Sequence, residues 1–242
     1  MTEEASLHLR CMSDALELDA AGKFKDAIDA LKQNPSYDST YFYNLGVLYG
    51  KMKQPGLAVA YLEKANREKP HDPEIISNLK IAKNALQSQL ERVHSELSID
   101  SASNQLERFS DRIQNDEILG MIGLISVLVS LFWIRAYLKT RHITKTFLKP
   151  SGWFGVLALV LVFAVYGMVR AGNSNPPAIV ILGEPLRSGP SLSFPEITLI
   201  EPGIKVRIIG SPATANENEL WQKVRYKPNQ TAWIHLSSLL PL

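Results

Sequence analysis

Apolar residues change their spacing three times along this chain, and each change marks a different kind of element. Up to about residue 95 they recur three and four positions apart, which predicts amphipathic helices. Two runs then carry no ionisable residue at all, Ile118 to Ile134 (ILGMIGLISVLVSLFWI) and Trp153 to Val169 (WFGVLALVLVFAVYGMV). From residue 178 apolar and polar positions alternate, and turn residues interrupt them every few positions, which predicts short strands. Uncharged helices of this length can cross about 30 Å of hydrocarbon. A buried helix in a large soluble core is the alternative, but two such runs in succession favour a transmembrane hairpin.

Charge gives the hairpin an expected orientation. The segment between the runs carries Arg135, Lys139, Arg141, Lys145 and Lys149 and no acid, and short basic loops stay cytoplasmic. A membrane crossed twice is thus expected, with loop 135–152 cytoplasmic and both soluble ends on the opposite side, which in a bacterium is the periplasm or cell exterior. Trp133 and Trp153 fall where an interfacial aromatic belt would place them. Setting the five loop cations aside leaves 21 basic against 24 acidic residues, so nucleic acid is not an expected partner. The start MTEEASLHLR has neither the basic nor the apolar region of a signal peptide, which sits badly with a periplasmic N-terminal domain. Either a leader precedes the sequence or that domain stays inside. Cys11 is the only cysteine, so no intrachain disulfide is expected, and the five histidines lack metal-ligand spacing.

The segment Ser39 to Pro70 carries a helix-turn-helix spacing. Counted from Ser39, Phe42 stands at position 4, Leu45 at 7, Gly46 at 8, Tyr49 at 11, Ala58 at 20, Leu62 at 24, Ala65 at 27 and Pro70 at 32. This resembles the tetratricopeptide repeat of 34 residues. Gly46 and Ala58 would let paired helices approach, Pro55-Gly56 would make the turn, and Asn44-Leu45 recurs 34 residues later as Asn78-Leu79. A weaker unit precedes it, with Gly22 at a turn and Phe24, Ala27, Ile28 and Leu31 in a second helix, and a further first helix begins at Asp72. Residues 1–95 are therefore expected to form a helical repeat domain. Its first helices would line a protein-binding groove with Thr40, Tyr43, Asn44, Val47, Lys51 and Asn78, or else these positions simply face solvent. Asn44 matches one position of the carboxylate clamp known in that family, but Met12, Leu16, Glu74 and Asn78 hold the others, so binding of a chaperone tail is not expected.

Residues 96–117 read as a juxtamembrane connector and 170–177 as a short linker. In the last part, AIVIL, IKVRII, WQKVRY and AWIHL read as four or five strands of a small barrel. The turn LRSGPS and the ending ELWQKVRYKPNQTAWIHLSSL resemble the bacterial SH3-like domain over 178–242, with Ala232-Trp233-Ile234 replacing that family's glycine-tryptophan-valine triplet. Trp233 and Tyr226 could line an aromatic groove, although in so small a domain such rings commonly belong to the core.

No phosphate-binding glycine loop, nucleophile elbow or histidine-glutamate metal motif is present, so neither enzymatic activity nor a cofactor is expected. The expected fold class is a multidomain membrane protein: an α-solenoid of tetratricopeptide repeats, a two-helix transmembrane hairpin and a small all-β SH3-like barrel. That order, with the segment YFYNLGVLYGKMKQPGLAVAYLEKANREKPHDPEIISNLKIAK, resembles the BatE proteins of bacterial aerotolerance operons. The resemblance implies an inner-membrane protein working beside von Willebrand factor A-type membrane proteins and a MoxR-type ATPase in envelope stress or oxygen tolerance. The function expected is that of a membrane scaffold for protein-protein interaction. The alternative is a cell-wall-binding anchor or regulator of an envelope hydrolase, with peptidoglycan as the barrel's ligand.

Overall fold

A computed structural model describes residues 3–33, 35–93, 97–100, 102, 115–140, 157, 160–167, 175–216 and 219–242. The chain divides into two compact units, one made of Met1–Ala102 with Pro176–Leu242, the other of Ser103–Asn175.

The first unit opens with five helices, α1 (Glu3–Ala20), α2 (Phe24–Gln33), α3 (Ser39–Lys51), α4 (Pro55–Glu68) and α5 (Pro73–Arg92). Their starts are set by local chemistry. The Asp38 side chain accepts from the Tyr41 backbone N–H at 2.7 Å, and Asp72 accepts from those of Glu74 and Ile75, satisfying donors that have no partner inside the helix. Pro55 and Pro73 occupy first-turn positions where a missing N–H costs nothing. Gly22, at φ +73°, makes the turn between α1 and α2, where a residue without Cβ adopts the left-handed region freely. Consecutive helices pack pairwise, and Ala27, Ile28, Leu31, Phe42, Leu45, Ala58, Leu62, Ala65, Leu79, Leu86 and Leu90 are buried between them. Gly46 is where α3 and α4 come closest: a Cβ there would lie 2.6 Å from Leu62 Cγ.

The C-terminal part of the same unit is one antiparallel sheet of eight strands. They are β1 (Pro177–Val180), β2 (Glu184–Arg187), β3 (Glu196–Ile200), β4 (Lys205–Ile208), β5 (Ala213–Asn216), β6 (Glu219–Lys227), β7 (Gln230–His235) and β8 (Leu239–Pro241). Their order is β3-β2-β7-β6-β4-β1-β8, with β5 on β6. AIVIL, IKVRII, WQKVRY and AWIHL supply β1, β4, β6 and β7. The 170–177 linker is shorter than expected, because Pro176 already accepts a backbone bond from Ile208 and Pro177 begins β1. Helices and sheet share a single buried apolar cluster that runs from Ala15 to Leu239.

The second unit corrects the expected fold class. It contains α6 (Asn115–Thr140), which takes in the first uncharged run and continues through Arg135 and Lys139. Among the described residues, no helix is long and apolar enough to cross a membrane. Of the second run only Leu157 and 160–167 are described. Among the described residues no two-span hairpin is seen. Loop 141–152, Trp153 and most of the 96–117 connector lie outside the described residues. What the structure shows is an N-terminal set of helices and a C-terminal antiparallel sheet.

Candidate functional site

The six groove candidates fall on α3 and α5, and polar contacts tie α3 to α1 on one side and to α5 on the other. Tyr43 donates its hydroxyl to Glu74 Oε1 at 2.7 Å, and Asn78 Nδ2 donates to the Tyr43 oxygen at 2.9 Å and to the Glu74 carbonyl at 3.1 Å. Burial, then the Glu74 carboxylate, pushes the Tyr43 phenol up to about 12, because ionising it would place a second negative charge beside the first. Lys51 Nζ lies 2.7 Å from both carboxylate oxygens of Asp19 on α1. Asn44 Nδ2 approaches Met12 Sδ at 3.1 Å. Val47 and Asn44 line a small recess with Met12, Ala15, Leu16, Asp19, Leu31 and Leu48. Thr40 is exposed at the N-terminal end of α3.

The face therefore offers a shallow apolar recess bordered by amide, phenol and carboxylate groups. Its cation, Lys51, is matched by Asp19, while Glu74 adds a further negative charge. Such a surface suits an uncharged or basic segment better than a free carboxylate terminus, in keeping with the missing clamp cations.

In the sheet, the two aromatic candidates part ways. Trp233 is half-buried on β7, opposite Lys223 on β6 and Arg187 on β2. Tyr226 is 5% exposed and belongs to the core, so its ring has no free face for a ligand. Trp221 is also buried, and its indole Nε1 has no hydrogen-bond partner among the described residues.

Two further arrangements organise the sheet, the first within the turn LRSGPS and the second without any local signature in the sequence. Arg187 holds the loop between β2 and β3, donating to the carbonyls of Leu192 at 3.0 Å and Phe194 at 2.8 Å while pairing with Glu196 at 2.8 Å. Gly189 lets that loop close, since a Cβ there would lie 2.6 Å from the Phe194 ring. Glu184 clasps the end of β7, accepting from the His235 backbone N–H at 3.1 Å and meeting His235 Nδ1 at 2.6 Å, with the Trp221 ring centroid 3.8 Å from the imidazole. Glu184 and His235 stand 51 positions apart, so no local spacing could have revealed them. Among the described residues no three His, Cys, Asp or Glu side chains gather as a metal site would require.

Compared with known families, residues 185–241 match the model described as a bacterial SH3 domain, a span that starts within β2 and leaves β1 outside. No tetratricopeptide or BatE family model is found. No curated protein and no solved structure matches the chain. The part of this protein that is similar to a known family is thus its C-terminal sheet, from β2 through β8, and that family is the bacterial SH3 domain.

Proposed function

We propose that this chain is an interaction protein without catalytic activity, a scaffold of the bacterial envelope that binds protein partners through two surfaces. One is the α1–α3–α5 face around Asn44 and Asn78; the other is the outer side of the SH3-like sheet around Trp233. The observation that carries the reading is the match of residues 185–241 to the bacterial SH3 domain, a module of binding rather than of chemistry. The helical face adds support, since its polar groups stand around an apolar recess of the kind that accepts a peptide side chain.

The resemblance to BatE proteins supplies the first partners to try, von Willebrand factor A-type membrane proteins and a MoxR-type ATPase. In the proposed reading, one of these co-purifies with the intact chain and is lost on Asn78→Arg, which drives a long cation into the helical face. Retention of every partner by that variant would remove the helical face from the proposal.

The same SH3 match supports a second reading equally well, a cell-wall-binding module. Sedimentation of the full chain with purified peptidoglycan separates the two. Strong retention that Trp233→Ala abolishes favours the cell wall, and recovery in the supernatant favours the protein scaffold.

A further inference from the structure

The turn between β3 and β4 is set into the helices. A Cβ on Gly56, in the first turn of α4, would lie 2.7 Å from the Pro202 carbonyl carbon. One on Gly203, at φ +89°, would lie 2.6 Å from Leu86 Cδ2 on α5 and 2.7 Å from Gly56 Cα. Two glycines thus meet where two backbones come too close for side chains. Beside them stands an ionic cluster. Glu63 on α4 is 2.5 Å from Lys83 Nζ on α5 and 3.7 Å from Lys205 Nζ on β4, and Lys205 is also 3.5 Å from Asp100. The Lys205 backbone N–H donates to the Ile99 carbonyl at 2.8 Å, in a segment where Leu97, Ile99 and Ala102 are all buried.

β4 itself confirms that it is covered twice. Val206 faces the barrel core, yet its neighbours Lys205 and Arg207, which alternation turns to the opposite face, are only 8% and 0% exposed. Burial alone would raise the Glu63 carboxyl, but Lys205 and then Lys83 hold it below the ordinary range.

We propose that the α4–α5 face is a docking site occupied by the chain's own SH3-like sheet, so that helices and sheet act as one body, with Glu63 and Lys205 holding the dock. The α4–α5 face is then closed to outside partners, which reach only the α1–α3–α5 face and the free side of the sheet.

Hydrogen exchange on the full-length chain tests this. In Lys205→Glu, amides of 97–100 and of Gly203 exchange at least tenfold faster, while those of β6 and β7 keep their rates. The exchanged pair Glu63→Lys with Lys205→Glu recovers most of the protection. Gly56→Ala replaces no residue of the sheet and favours α4 as a helix, but its Cβ meets the Pro202 backbone, so it speeds exchange at Gly203 and Lys205 while α4 amides hold or gain protection. Should Lys205→Glu loosen the whole sheet, Gly56→Ala decides the matter. Unchanged exchange at Gly203 in Gly56→Ala, or equal loss across β6 and β7, overturns the proposal.

Discussion

Gly46 shows how a single hydrogen in place of a methyl group sets the distance between two helices. Replacing it with Ala puts a Cβ 2.6 Å from Leu62 Cγ and 3.2 Å from the Leu62 backbone nitrogen. Overpacking of that kind costs about 1–3 kcal/mol, against about 1 kcal/mol gained from the better helix former. Gly46→Ala should therefore lower stability by about 1 kcal/mol in urea unfolding, whereas an exposed helical glycine would give a gain. Tyr43 makes a second test at this scale. Its phenol is held to about 12, so the folded state keeps the proton after an unfolded chain has released it near 10. Stability from this group is complete below the unfolded value and is lost as pH rises through about 12. Alkaline titration of tyrosinate absorbance should show one fewer late-ionising phenol in Tyr43→Phe, leaving Tyr41, which burial also pushes to about 12.

Elements were legible in proportion to how locally they are specified. Asp72-Pro73 and the three-and-four spacing marked α3, α4 and α5, because caps and first-turn prolines are written beside the helices they start, whereas Pro55-Gly56, expected to make the turn, instead opens α4. β1, β4, β6 and β7 were visible as alternating runs. β2, β3, β5 and β8 were not: EPLR and LLP carry a proline and ATAN holds only small or polar residues, so none of these three shows an alternating apolar face. The uncharged runs misled because an apolar stretch reports only that a segment avoids water. Least legible was the contact of α4 with β4, as nothing near Glu63 announces a lysine 142 positions later. That pair gives an acid-side expectation. With its folded value lowered, Glu63 contributes stability that is present above the ordinary glutamate range and is lost as pH falls through the lowered value. Urea midpoints should fall toward low pH in the native chain, and Glu63→Gln should start lower at neutral pH and converge with it in acid.

For the first unit as a whole, the two stretches of chain that flank Ser103–Asn175 in sequence are both fixed to β4. Ile99 is fixed to Lys205 and Pro176 to Ile208, three residues along one strand, or about 10 Å. The 73 residues of Ser103–Asn175 thus lie in sequence between two points fixed on one strand. In folding terms the first unit must bring together two stretches separated by a long tether, and closing a tether costs free energy that grows with the logarithm of its length. Each halving returns about 0.6 kcal/mol, so a bridge of about nine residues from Ala102 to Pro176 should stabilise helices and sheet by up to about 2 kcal/mol. A shortened chain with a lower urea midpoint would show that Ser103–Asn175 contributes stabilising contacts rather than a tether. If the expected gain is found, the length of this stretch could be varied freely without disturbing the body that carries it.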